Sequence, residues 1–66
     1  MVICLNGAKR EIPEGMTLEK LMELFQLTKK SIVMELNHHV VSKSTYSSAL
    51  LRENDAVEIV HFVGGG

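Results

Sequence analysis

Only one stretch of this chain repeats its apolar residues at helical spacing. Leu18, Leu21, Met22 and Phe25 fall at i, i+3, i+4 and i+7, one stripe of a helix, with Glu19, Lys20, Glu23 and Gln26 off it. Thr17 stands where an N-cap belongs, and Glu19 suits the positive end of the helix dipole. The spacing predicts a helix over residues 18–26, with a polar exit at residues 28–31. The rest reads as strand or turn. One helix can cover one face of a sheet, which makes the chain α+β.

The strand segments fix the order. Val2-Ile3-Cys4-Leu5 is a run of β-formers followed by Asn6-Gly7, a strong hairpin signal. Residues 8–12 are mostly polar, as in an outer strand, and Pro13-Glu14-Gly15 ends the pairing. Residues 32–36 return to strand composition and stop at Asn37-His38, after which His39, Val40 and Val41 form a short returning strand. Residues 42–48 predict an irregular crossover with a turn of helix. Leu50 and Leu51 are expected inside, because Arg52-Glu53-Asn54-Asp55 behind them is a surface turn. In the last strand, residues 56–62, Val57 and Ile59 share one face and Glu58 and Val60 the other. That strand follows a long connection and is apolar enough to be central, beside and parallel to the first. The result is a ubiquitin-like β-grasp: a four- or five-stranded mixed sheet with one main helix on one face. At 66 residues there is room for a single domain, residues 1–63, and a glycine tail, residues 64–66.

Charge and cysteine content exclude several functions. Seven Lys and Arg against eight Asp and Glu give a net charge of −1, and the only adjacent basic residues are the short pairs Lys9-Arg10 and Lys29-Lys30. Nucleic-acid binding needs clustered cations that release counterions, so no nucleic-acid partner is expected. A single cysteine, Cys4, supports neither an internal disulfide nor a zinc scaffold; inside the first strand it is expected to act as a small hydrophobe. No apolar run reaches the roughly 20 residues of a membrane span. Residues 1–6 lack the basic region and cleavage site of a signal peptide. A soluble, cytoplasmic chain is the expectation.

The usual catalytic groups do not assemble. Ser42, Ser44, Ser47 and Ser48 crowd a turn-forming stretch, where serine serves local hydrogen bonds. His38 and His39 are neighbours in a turn without a third ligand, and His61 has no carboxylate partner in sequence, so no metal site is expected. The C-terminus is the exception: Gly64, Gly65 and Gly66 end a chain with two other glycines. Glycine adds no packing and costs entropy to order, so these residues are expected to project as a flexible tail. With Val63 they span about 13–14 Å when extended. Lacking Cβ atoms, they could thread a narrow channel and offer the terminal carboxylate to another enzyme, although composition fits a merely frayed end equally well.

The chain resembles the ThiS family of thiamine-biosynthesis sulfur carrier proteins. The resemblance covers essentially all 66 residues. It rests on Leu5-Asn6-Gly7, Pro13-Glu14-Gly15-Met16-Thr17-Leu18, Leu21, Glu35-Leu36-Asn37 with Val40-Val41, Tyr46, residues 54–60, and the ending Phe62-Val63-Gly64-Gly65-Gly66. Asn54 replaces a common glycine and Lys43 a common arginine, and neither touches the tail. The resemblance implies a protein co-substrate with no enzymatic activity and no bound cofactor. The Gly66 carboxylate would be adenylated by a ThiF-like adenylyltransferase using ATP and converted to a thiocarboxylate with sulfur from a cysteine desulfurase relay. A ThiG-like thiazole synthase would then consume the sulfur. Gly64 and Gly65 would thread the partner's active site. Independently of the resemblance, Val60 and Phe62 alternate with Val57 and Ile59, so they are expected on the open sheet face and, with Val63, to contact the partner. A molybdopterin-synthase small-subunit-like carrier and a β-grasp interaction module without carrier chemistry are the alternatives.

Overall fold

The computed structural model describes residues 1–62. Strands β1 (Val2–Leu5) and β2 (Ala8–Glu11) form the first hairpin, followed by helix α1 (Leu18–Leu24), then β3 (Ile32–Leu36), β4 (His39–Val40) and β5 (Ala56–His61). Single 3₁₀ turns occupy Lys29–Ser31 and Lys43–Thr45. The five strands make one sheet in the order β2-β1-β5-β3-β4. β5 is central and runs parallel to β1, while all other neighbours are antiparallel. This is the β-grasp arrangement expected from the sequence. No helix among the described residues is long and apolar enough to cross a membrane.

Both hairpins turn on left-handed residues. Asn6 and Gly7 have φ of 48° and 84°, and Asn37 and His38 have 50° and 71°. Positive φ at both central positions twists the turn to match its strands, and asparagine tolerates it better than most side chains. Asn54, at φ 68°, likewise takes the conformation glycine would supply.

Thr17 caps α1, its hydroxyl accepting the Lys20 N–H at 3.2 Å. The helix stops two residues earlier than its apolar stripe suggests. Gln26 adopts φ 59°, its N–H donates to the Glu23 carbonyl, and the Leu27 N–H donates to that of Met22. That pair of bonds is a Schellman closure, here with glutamine where glycine is usual. Phe25 is therefore a cap residue, half-buried, with the Arg10 guanidinium 4.8 Å above its ring.

The core lies between α1 and one sheet face: Leu18, Leu21 and Met22 from the helix, Ile3, Ile32, Met34 and Val57 from the strands. Leu5 and Ile59 pack at its margin. Tyr46, from the serine-rich crossover, is completely buried, and its hydroxyl accepts the Met34 N–H at 3.1 Å. The sequence places Tyr46 in that crossover but gives no sign of this burial. The expectation for Leu50 and Leu51 is half corrected. Leu51 is 3% exposed, but Leu50 is 53% exposed. In extended backbone neighbouring side chains point to opposite sides, so one of the pair must face water. Cys4 is also only partly buried, on the face away from the helix. The proposed glycine tail, residues 64–66, lies outside the described residues.

Leu21→Ala is expected to cost about 2–5 kcal/mol, since it empties a completely buried site in a small core. Tyr46→Phe should cost about 1–3 kcal/mol by leaving the buried Met34 N–H without an acceptor. Urea denaturation of both variants measures the two losses; a Tyr46→Phe protein as stable as the parent would contradict the assigned bond.

Candidate functional site

Among the described residues there is no cavity. The candidate site is therefore a surface: the far end of β5, which leads directly into Val63, Gly64, Gly65 and Gly66. Those four residues lie outside the described ones, so the structure locates the site only up to Phe62.

β5 is gripped along both flanks. Toward β3 its pairing runs from Leu36↔Val57 to Ile32↔His61, and the Phe62 N–H extends it by donating to the Ser31 carbonyl at 2.8 Å. Toward β1 the paired strand residues end at Leu5↔Val57. The Asn6 main-chain N–H then donates to the Val57 carbonyl at 2.9 Å. Beyond that point the Asn6 side chain takes over: Oδ1 accepts the Ile59 N–H at 2.7 Å, and Nδ2 donates to the Ile59 carbonyl at 3.3 Å. At the opposite end of β5, Asn37 Oδ1 accepts the Ala56 N–H at 2.9 Å while its Nδ2 donates to Asp55 Oδ1. The sequence reading takes both asparagines as turn residues only. Their local spacing carries no sign of bonds reaching 53 and 19 residues away.

The strand registers sort the side chains. Val33↔Val60, Glu35↔Glu58 and Glu35↔Val40 are directly opposed pairs, so these residues share the face that α1 leaves open. Phe62 continues the Val60 side of β5. Val60 is 46% exposed and Phe62 45%, while Val40 is 70% exposed. The structure thus brings Val60 and Phe62 together on the uncovered face, as the alternation along the last strand implies. Two like charges lie opposite each other there, Glu35 and Glu58, an arrangement that disfavours the sheet slightly. Neither Glu35 nor Glu58 is in an ion pair among the described residues; the pairs present join Met1 to Glu14 and Lys29 to Glu19.

The other candidates do not converge. His38 and His39 are exposed at the second hairpin, where His39 Nδ1 lies 3.0 Å from the Asn37 carbonyl. His61 is exposed and pairs across from Ile32, on the opposite side of the sheet from Val60. Ser48 Oγ donates locally to the Thr45 carbonyl. This surface offers groups by which a partner could recognise it, and among the described residues its histidines and serines are not brought together.

A five-stranded sheet with a central parallel last strand and one covering helix defines a ubiquitin-like β-grasp protein. Residues 3–66 match the ThiS family, and the chain belongs to it. It is 40% identical over 50 residues to the sulfur carrier protein ThiS of Bacillus subtilis, covering 76% of each chain. It is 41% identical over 66 residues to a thiazole synthase of Magnetococcus marinus, covering all of this chain and 20% of that one. The chain thus spans about a fifth of the length of the thiazole synthases it matches. The crystal structure of the thiamine biosynthesis protein ThiS from Geobacter metallireducens superposes over the full length of both chains with a TM-score of 0.84 at 25% identity.

Val60→Ser and Phe62→Ser should each cost about 1 kcal/mol or less, because both side chains are already in contact with water. Thermal unfolding checks this; a loss as large as that of a core leucine would place the residue in the core.

Proposed function

We propose that this chain is a sulfur carrier for thiamine biosynthesis and that its reacting group is the carboxylate of Gly66. The observation that carries the reading is the match to the ThiS family across residues 3–66, which includes the three terminal glycines. The similarity to part of a thiazole synthase supports that enzyme as the sulfur acceptor.

A carboxylate at neutral pH is a poor electrophile. In the proposed sequence a Gly66 carboxylate oxygen attacks the α-phosphorus of ATP on a partner adenylyltransferase, releasing pyrophosphate and leaving an acyl-adenylate. Sulfur at the sulfide level then attacks the acyl carbon. A C–S bond forms, the C–O bond to AMP breaks, and a thiocarboxylate remains. A persulfide supplied by a cysteine desulfurase relay reaches that level with two electrons from a thiol. Thiazole synthase takes the thiocarboxylate sulfur into its product. This chain binds no cofactor and performs none of these bond changes unaided; it supplies the carboxylate and the surface by which partners recognise it.

The open face suits the loading partner. An enzyme that binds ATP concentrates positive charge around its phosphates, and Glu35 and Glu58 offer the opposite sign beside apolar Val60 and Phe62. Gly64 and Gly65 admit close approach because they have no Cβ, and Val63 joins them to the face.

Intact-mass measurement after incubation with the adenylyltransferase, ATP and a sulfur source should show a gain of about 16 Da, oxygen replaced by sulfur. An unchanged mass overturns the reading. Deleting Gly66, or adding one residue beyond it, should abolish the gain while stability stays within about 0.5 kcal/mol of the parent. Phe62→Ser combined with Val60→Ser should weaken affinity for the adenylyltransferase and thiazole synthase, and unchanged binding to both would remove this face from the proposal.

A further inference from the structure

We infer that Asn6 is a positioning residue, whose side chain fixes where the C-terminal tail leaves the sheet. The inference rests on the carrier reading above, and its first observation is a substitution in the β-ladder. The β1–β5 bonds follow a parallel pattern, with the Cys4 N–H donating to the Asp55 carbonyl and the Asn6 N–H to that of Val57. Continued by one step, this pattern would give the Ile59 N–H to the main-chain carbonyl of residue 6. Asn6 has instead turned left-handed, at φ 48°, to start the hairpin. Its side-chain carbonyl accepts the Ile59 N–H at 2.7 Å, and its amide nitrogen donates to the Ile59 carbonyl at 3.3 Å. One primary amide thus stands in for the two peptide groups that β1 no longer provides.

Location gives this bond pair its consequence. Among the described residues it is the last hydrogen-bonded pair on the β1 side of β5, three residues before Phe62. On the other side the last such bond is the Phe62 N–H with the Ser31 carbonyl. With Asn6 in place, the end of β5 is held from both flanks. Four residues then remain to carry the Gly66 carboxylate to a partner. Without it, residues 59–62 keep one neighbour only, and the fixed point from which the tail is measured retreats toward Val57. A partner channel must then order more chain before the carboxylate reaches its reactive depth. Binding of the tail weakens, whereas the chemistry of a correctly seated carboxylate is unchanged.

Two variants separate this role from simple stability. Asn6→Gly retains the left-handed turn and removes only the side-chain bonds. Asn37→Gly does the same at the other hairpin, whose amide also makes two bonds, but to Asp55 and Ala56 at the start of β5. Asn6→Gly is expected to raise the KM for this carrier in adenylation about ten-fold with kcat unchanged. It should also speed amide hydrogen exchange at Ile59 and Phe62 about ten-fold. Asn37→Gly should leave that KM and those amides at parental values despite a similar fall in Tm. Equal KM changes in the two variants, or parental exchange at Ile59 and Phe62 in Asn6→Gly, would overturn the assignment. Asn6→Asp, which retains the acceptor for the Ile59 N–H but loses the donor, should fall between the parent and Asn6→Gly in exchange. If the parent protein itself gains no sulfur, the carrier reading fails, and the exchange data still decide whether Asn6 fixes the strand end.

Discussion

The pairing of β5 between β1 and β3 is the constraint on which the rest of the structure depends. Each hairpin can form from neighbouring residues, but neither has a partner for its inner strand until β5 enters. Insertion joins Cys4 and Leu5 to Ala56 and Val57 across more than half of the chain, while β3 closes the opposite side. Only then do Ile3, Val57, Ile32 and Met34 present one continuous apolar face for Leu18 and Leu21 to cover. Burial of that face is the main favourable term in so small a domain, and the loop-closure entropy of the β1–β5 pairing opposes it.

The crossover between β4 and β5 contributes more to this arrangement than its polar composition suggests. Tyr46 enters the core beneath the sheet and ties its hydroxyl to Met34, while the Glu19 N–H donates to the Tyr46 carbonyl and the Leu18 N–H to that of Ala49. The helix start, the crossover and β3 are thereby joined. Leu51 completes this side, its N–H donating to the Met16 carbonyl. The open side has no such covering among the described residues, and Val60, Phe62 and Val40 are exposed there.

Much of this was legible in the sequence because the signals are local. Asn6-Gly7 specifies a hairpin through backbone conformation, the Leu18-Leu21-Met22 stripe specifies a helix through period, and the apolar last strand specifies its central place through composition. Features that depend on distant partners were not legible. Nothing near Gln26 announces a left-handed closure, since glutamine rarely provides one. Leu50 and Leu51 look alike until the bridge between Thr17 and Leu50 sets which one turns inward. Asn6 reads as a turn residue, and its hold on Ile59 exists only once β5 has arrived. The three closing glycines stand out by composition, which fits a frayed end equally well; the carrier reading of them comes from the family resemblance.

The central place of the last strand also bears on synthesis. A chain emerging from the ribosome presents β1, β2, α1, β3 and β4 before β5, yet the sheet cannot be assembled until residues 56–61 are free to enter it. The sheet becomes stable only once β5, its central strand, has been made. Chains that stop short of β5 have no sheet centre and remain open to proteolysis. Folding thus acts as an inspection of synthesis: a molecule that has acquired this sheet has also been translated through β5.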